Sequence, residues 1–385
     1  AGTTSRTFLL ALGAATVASP AAAQSFGPQL EITSTAVFIL SVHDADLDGD
    51  GDADVLSASR GKVAWYENLG GGAFGPQQVV VRGSSSTVHA ADLDGDGDVD
   101  LVSNNTRIDT RFAIHENLGG SFAAAVVLGS PSIHYSGRAA VGDLNGDGRA
   151  DLVSATLAGS SYRIQWERNV SGPGIHFVPG GDVAPPTSPV NPRDLEVVDL
   201  DGDGHLDVVA SASAGSSSSA PGAISWFQNL GGGVFSPRKT INANADGAQW
   251  VEAADFDNDG DLDLLVVNLN APARLLRNDG GNRGHWLQVQ PRLRGGKTDA
   301  IGARVTVVTG ETRQVRDVVG VMGYLSQADL RAHFGLGEGS APIHLVEVRW
   351  PSGNRWQHSG LARNEVHLLL EPNVVPPPLN PAGSN

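Results

Sequence analysis

The apolar positions of this chain come in short runs that alternate with polar ones, each bounded by Gly, Asn, Asp or Ser. Such alternation predicts half-buried strands joined by turns rather than helices. The runs also recur in a fixed order. An apolar lead-in such as Val251-Glu-Ala-Ala precedes an acidic string, and an apolar exit such as Asp100-Leu-Val-Ser or Asp207-Val-Val-Ala follows it. Next comes an apolar segment closing on Asn: Trp65-Tyr-Glu-Asn68, His115-Glu-Asn117, Trp166-Glu-Arg-Asn169, Trp226-Phe-Gln-Asn229 and Leu275-Leu-Arg-Asn278. A fourth segment follows a Phe, as in Phe74-Gly-Pro-Gln-Gln-Val-Val-Val81 and Phe235-Ser-Pro-Arg-Lys-Thr-Ile241.

The acidic string occurs five times, at Asp46–Asp54, Asp92–Asp100, Asp143–Asp151, Asp199–Asp207 and Asp255–Asp263, with starts 46, 51, 56 and 56 residues apart. Four strands per unit, repeated five times, predict a five-bladed β-propeller over residues 25–279. A β-helix needs much shorter rungs, and an ordinary sandwich does not explain one acidic loop at the same place in every unit. Unit five lacks a fourth strand. Ser25-Phe-Gly-Pro-Gln-Leu-Glu-Ile32 echoes the fourth strand of unit one and is expected to pair beside unit five, closing the ring.

Composition agrees with an all-β chain. Gly 49 and Pro 21 with a single Met make a turn-rich, helix-poor balance, while 40% hydrophobic residues suffice for cores. The absence of Cys excludes disulfides, thiolate metal sites and cysteine nucleophiles. The net charge of −16 argues against nucleic acid as a partner. The acid is unevenly placed: residues 1–279 carry 34 acids and 15 bases, residues 280–371 only 8 acids and 11 bases.

Residues 1–24 read as a signal peptide: Arg6, an apolar stretch from Phe8 to Val17, and Ala21-Ala22-Ala23 before Gln24. That run is too short to span a bilayer, and no transmembrane segment is expected elsewhere. Export to a secreted, periplasmic or cell-surface location follows. Residues 372–385, rich in Pro, read as a disordered tail.

In Asp-x-Asp-Gly-Asp-Gly-x-x-Asp, carboxylates at positions 1, 3 and 5 can converge while position 7 offers a backbone carbonyl. Hard oxygen donors in a flexible loop suit Ca²⁺, and without a cation the carboxylates repel and partly protonate. The candidate metal-site residues are Asp46, Asp48, Asp50, Asp52 and Asp54 in loop one, and Asp92, Asp94, Asp96, Asp98 and Asp100 in loop two. Loop three offers Asp143, Asn145, Asp147, Arg149 and Asp151, and loop four Asp199, Asp201, Asp203, His205 and Asp207. Loop five offers Asp255, Asp257, Asp259, Asp261 and Asp263. An EF-hand would need Glu at position 12, where Ser57, Ser103, Ser154, Ala210 and Val266 stand, so position 9 is expected to supply the closing carboxylate. Up to five Ca²⁺ are expected, loop three being weakest because Asn145 replaces a carboxylate and Arg149 adds a positive charge.

With their Asp-Leu-Val exits these loops resemble FG-GAP/VCBS repeats, the calcium-loop blades also found in integrin-type propellers. That resemblance implies Ca²⁺ on Asp46, Asp48, Asp50 and Asp54 and on the corresponding sets elsewhere. Residues 280–371 carry strands of another kind, expected to form a small β-sandwich or barrel. The strings Asn282-Arg-Gly-His-Trp-Leu, Ala300-Ile-Gly-Ala-Arg-Val, Gly323-Tyr-Leu-Ser-Gln, His333-Phe-Gly-Leu-Gly and Val348-Arg-Trp-Pro-Ser-Gly353 resemble the ASPIC/UnbV domain. The same arrangement is that of the cartilage acidic protein-like family, whose biochemical role is largely undefined.

Catalytic look-alikes are weak. Gly70-Gly-Gly-Ala-Phe-Gly75 reads as a blade turn rather than a nucleotide loop, and His115-Glu-Asn lacks a zincin's second His. His333 with Arg331, Glu338 and Glu347 could be assembled into an acid/base site, although a structural His beside a Gly-rich turn explains it as well. Arg292, Arg294 and Lys297 are too few for nucleic acid and are candidates for docking onto the acidic propeller. The leading reading is an exported calcium-binding β-propeller acting as a binding or adhesion module for a protein or glycan. The alternatives are a secreted enzyme with its site in or beside the second domain, and a structural surface or matrix protein.

Overall fold

The computed structural model describes residues 32–372 apart from 34–38, 51, 84–86, 105–110, 129–133, 159–160, 171–173, 186–191, 213–221, 246, 270, 281–283, 297–298, 311, 319–328 and 340. Every regular element among the described residues is a strand. The first four sheets are meanders: β1 (Ile39–Ala45), β2 (Asp54–Ser59), β3 (Lys62–Tyr66) and β4 (Gln78–Arg82); then β5 (Val88–Ala91), β6 (Asp100–Asn104), β7 (Phe112–His115) and β8 (Val126–Val127). Next come β9 (His134–Gly142), β10 (Asp151–Ala158), β11 (Ser161–Val170) and β12 (His176–Ala184), and β13 (Pro192–Val198), β14 (Asp207–Ala212), β15 (Ala223–Phe227) and β16 (Lys239–Asn242). The fifth sheet has three strands, β17 (Ala248–Ala254), β18 (Asp263–Asn268) and β19 (Arg274–Leu276). Each acidic string is the link between the first two strands of its sheet.

The sheets stack like repeats, each packed on the next. First strands of successive sheets lie against one another, β1 on β5, β5 on β9, β9 on β13 and β13 on β17. Each buried core cluster is shared by two neighbouring sheets: Leu56 and Val63 with Leu101, Val102 and Phe112 with Leu152, Val153 and Trp166 with Val208, Val209 with Leu264. The Asn that closes each third strand adds a polar bridge between sheets. The Asn117 side chain donates to Leu47 O (2.8 Å) in the sheet before and to Val99 O (3.0 Å) in its own. Asn169, Asn229 and Asn278 repeat this with Leu93 and Ala150, Leu144 and Leu206, Leu200 and Leu262. Asn68, first in the series, donates to Ala53 of its own sheet. Among the described residues, then, no shared core or Asn bridge joins sheet five back to sheet one. The closing segment expected from the sequence lies, but for Ile32, outside the described residues, as do the signal peptide and, but for Pro372, the Pro-rich tail.

The C-terminal part is a two-sheet sandwich. It comprises β20 (His285–Arg292), β21 (Arg304–Thr309), β22 (Thr312–Asp317), β23 (Ala332–Gly337), β24 (Ile343–Arg349), β25 (Arg355–His358) and β26 (Val366–Leu370). One sheet runs β23-β20-β26 and the other β22-β21-β24-β25, around a core of its own that includes Leu287, Val305, Phe334, Val346 and Trp350. The described residues from Ile32 onward form one compact unit.

Candidate metal centres and the domain that caps them

The acidic loops owe their shape to turn chemistry. Position 4 is left-handed in each: Gly49, Gly95, Gly146 and Gly202 have φ between +71° and +83°, and in loop five Asn258, a residue that tolerates this region, has φ +59°. In loop one Asp46 Oδ1 accepts from Gly49 N (2.8 Å), Asp48 Oδ1 from Asp50 N (3.2 Å) and Asp50 Oδ1 from Asp52 N (2.9 Å). These side-chain-to-backbone turns bring the carboxylates of positions 1, 3 and 5 to one point. In loops one, two, four and five the three carboxylate oxygens lie within 4.8 Å of one another: Asp46, Asp48, Asp50; Asp92, Asp94, Asp96; Asp199, Asp201, Asp203; and Asp255, Asp257, Asp259. Loop three has two carboxylates there, Asp143 and Asp147, with Asn145 Oδ1 accepting from Asp147 N at 2.8 Å.

Position 9 has backbone partners of its own. Asp54, Asp100, Asp151, Asp207 and Asp263 each open the second strand, with no more than 1% of their surface exposed. Both oxygens of each accept backbone N–H groups: Asp151 takes Asn169 N (2.8 Å) and Leu144 N (3.0 Å), and Asp207 takes Asn229 N (2.7 Å) and Leu200 N (3.2 Å). The carboxylate thereby ties the loop to the end of the third strand. Burial, followed by the neighbouring loop carboxylates, pushes Asp54, Asp100 and Asp151 up to about 7 and Asp207 up to about 8. Position 7 side chains lie outside the converging triplets. Asp52, Asp98 and His205 sit beside the Gly70, Gly119 and Gly231 turns, and Arg149 borders a cavity.

The donors present suit a hard divalent cation. Asp199 Oδ1 and Asp201 Oδ1 are buried and accept no hydrogen bond, an expensive arrangement for carboxylates unless a cation sits between them.

The sandwich covers this loop face, and it does so through the first-position aspartates. Arg349 and Arg304 both pair with Asp92 Oδ2, the latter at 3.2 Å, and Arg304 also donates to Asp92 O at 2.8 Å. Gln288 donates to Asp255 Oδ2 (3.2 Å), and Arg331 reaches Asp255 O (3.3 Å). Gly335 N donates to Asp199 Oδ2 (3.1 Å) and Gly337 N to Gly202 O (3.1 Å). A side chain at Gly335 would collide with Asp199 and Gly202, and one at Gly260 with Trp286, so glycine allows the two parts to meet.

The docking residues are therefore not those expected from the sequence. Arg292 pairs with Asp299 and Arg294 with Glu371, both inside the sandwich, and Lys297 lies outside the described residues. The arginines that dock sit on strand ends whose order only the folded sandwich reveals. A usable signal did exist: the glycines of His333-Phe-Gly-Leu-Gly lie within a strand, which often marks close backbone approach. His333 itself is stacked on Trp286 (centroids 6.4 Å apart, 16° between planes) and donates from Nε2 to Gly260 O at 3.2 Å. Burial first, then its charged neighbours, brings His333 down to about 4. Glu347 is engaged with Gln357, and Arg331 with Asp329, so the described contacts do not assemble the acid/base cluster considered above. His115 is buried against Ser103 Oγ (2.8 Å), and Gly70 to Ala73 form a hydrogen-bonded turn.

Comparison with known proteins agrees with these features. Residues 283–376 match the family described as ASPIC and UnbV, and residues 46–103, 92–154, 143–210 and 199–266 match the FG-GAP-like repeat. The chain is 32% identical over 272 residues to mouse cartilage acidic protein 1, covering 68% of this chain and 41% of that one. It is 31% identical to the human protein of that name over 272 residues, 68% of this chain and 40% of that one. The chain thus spans about two fifths of the length of these curated relatives. Among solved structures, a lectin from Agrocybe aegerita that recognises non-reducing terminal N-acetylglucosamine aligns with TM-score 0.43 and 22% identity, over 62% of this chain and 66% of that one. The biofilm matrix protein Bap1 of V. cholerae aligns with TM-score 0.35 and 14% identity, over 84% of this chain and 59% of that one. Repeats that match over more than half the chain, followed by a matching C-terminal domain, place it: this chain belongs to the family of FG-GAP-repeat proteins with a C-terminal ASPIC/UnbV domain.

Proposed function

We propose that the protein is an exported, calcium-loaded five-bladed propeller whose capped loop face is held rigid by its cations, and that it serves as a binding or adhesion module for a protein or glycan. FG-GAP repeats with an ASPIC/UnbV domain suggest such a module. The observation that carries the calcium reading is the recurrence of one triplet of converging carboxylates in four loops, with bare buried oxygens on Asp199 and Asp201. In this reading positions 1, 3, 5 and 9 ligate through side chains and position 7 through its carbonyl. Loop three, with Asn145, is the weakest site. Bound Ca²⁺ would supply the positive charge that lets the carboxylates stay ionised, while the chain's own residues shape the loops.

The test uses the full chain, immobilised and probed with a glycan array and protein pull-downs in Ca²⁺ and in chelator. A partner retained in Ca²⁺ and lost in chelator is the expected result. A partner retained equally in both, or no partner at all, overturns the proposal.

A further inference from the structure

Where the first strands meet the cap, a cavity of about 130 Å³ is walled by β5, β9 and β13 and closed by Arg304 and the end of β22. A water needs roughly 10–15 Å³ of such space, so a molecule of several heavy atoms fits. Much of the wall is short and aliphatic, including Ala90, Ala140, Val141 and Val251.

Two polar atoms of the wall lack partners. Glu196, 6% exposed, accepts from Ala253 N at 2.9 Å through Oε1, while its Oε2 is buried and has no partner. His89 Nε2, on the same wall, is likewise buried and unpartnered. Asp194 lines the cavity beside Glu196 and accepts from Val251 N at 3.2 Å, and Glu252 is near enough to act on both. Burial, then the Glu252 and Asp194 carboxylates, holds Glu196 well above the usual range. Burial, with His43 nearby, brings His89 down to about 3, so the ring is neutral and can present an acceptor nitrogen.

Of the cations nearby, Arg304 and Arg316 have partners of their own. Arg304 is bidentate to Asp317 (2.7 and 3.0 Å) as well as paired with Asp92. Arg316 donates to Val315 O and Gln314 Oε1, with Asp199 and Asp143 in its field. Arg138 offsets Asp194 alone. Arg149 borders the loop-three side, next to Asp143 and Gly148. What remains unmet is a buried pair, Glu196 Oε2 and His89 Nε2, in an acid-rich wall. Among the described residues, the three-carboxylate groups spaced for a metal ion are those of the loops, so the complement here is an organic cation with several N–H donors.

We propose that this cavity binds a small primary amine, its ammonium group donating to Glu196 Oε2 and His89 Nε2 beside Asp194, and its short alkyl body lying on the Ala and Val wall. The site exists only while the sandwich caps the sheets, because Arg304 and β22 form its roof.

The experiment is calorimetric titration and thermal shift of the full chain, saturated with Ca²⁺ at pH 8, against n-butylamine and 1,4-diaminobutane, with n-butanol and butyrate as controls. At least one amine binds saturably at one site per chain and raises the melting temperature, whereas the controls do neither. Glu196→Gln, which keeps the Ala253 contact, weakens amine binding tenfold or more and leaves the response to chelator unchanged. His89→Asn, made independently, also weakens it. No saturable binding by either amine, binding unchanged in both variants, or tighter binding of butyrate overturns the proposal.

Discussion

Loops two and four carry the same carboxylates at positions 1, 3, 5 and 9, yet their surroundings differ. In loop two the first aspartate, Asp92, is clasped by Arg349 and Arg304 from the cap. In loop four the first aspartate, Asp199, is met by backbone: Gly204 N at 3.0 Å and Gly335 N at 3.1 Å, with Oδ1 left bare. One loop has its first aspartate paired directly with guanidinium groups, and the other meets backbone N–H groups, with Arg316 acting on it only through its field. Identical ligand strings therefore do not make identical sites, because a nearby fixed charge changes ion affinity by Coulomb's law.

The largest expected effect comes from removing the ions from both loops together. Each filled site adds about 2.7 kcal/mol of stability at a hundredfold excess over its Kd. Several sites emptied at once should lower the melting temperature by about 10 °C or more, given roughly 2–4 °C per kcal/mol for a domain of this size. Calorimetric melts in millimolar Ca²⁺ and in chelator check this, and coincident melts would remove the metal from the comparison altogether.

A second measurement separates, inside loop four, a carboxylate that only ligates from one that also ties the loop to its strands. Asp207→Ala strands two buried N–H groups, of Leu200 and Asn229, and should cost about 2–5 kcal/mol with or without Ca²⁺. Asp203→Ala removes an exposed carboxylate and should cost stability only when Ca²⁺ is present. Equal losses for the two in chelator would erase this division of labour.

Arg349→Met sharpens the contrast between the loops directly. Removing the guanidinium from Asp92 should tighten Ca²⁺ at loop two by about three- to tenfold while leaving loop four unchanged. The same variant should loosen the cap, seen as faster amide exchange in β24. Calcium titrations in which wild type and variant superimpose would show that the arginine contact and the ion are independent.

A further effect is in pH. His333 has a folded pKa of about 4, below its unfolded value of 6.5, so the unfolded chain binds the extra proton between those values. Stability from this residue is complete above about pH 6.5 and is lost as pH falls toward 4. Glu252, raised to about 7 by burial and then by Asp194, has the opposite sign, and its presence costs stability as pH rises from about 4.5 to 7. His333→Asn should flatten the acid limb of the stability profile, and Glu252→Gln the neutral limb. Unchanged limbs in both variants would show that neither group titrates as its burial implies.

The local half of this molecule was legible. Strand runs, the five acidic strings and the Asn that ends each third strand stand where the periodicity puts them. The bridging role of Asn117, Asn169, Asn229 and Asn278 was not, since each reaches a carbonyl in the preceding sheet. In the sandwich, β23 and β25 carry little strand signal, because Gly335 and Gly337 interrupt one run and the other, Arg355 to His358, is short and polar.

The sequence by itself determined the loops, because Asp, Gly and Asn at fixed spacing dictate turn conformation and gather three carboxylates within five residues of chain. Only the tertiary structure decided what faces them. Arg349 and Asp92 are 257 positions apart, and Glu196 and His89 come to one cavity from different sheets beneath a separate cap. No local propensity encodes such meetings; they follow from how whole sheets stack and which glycines let two surfaces close.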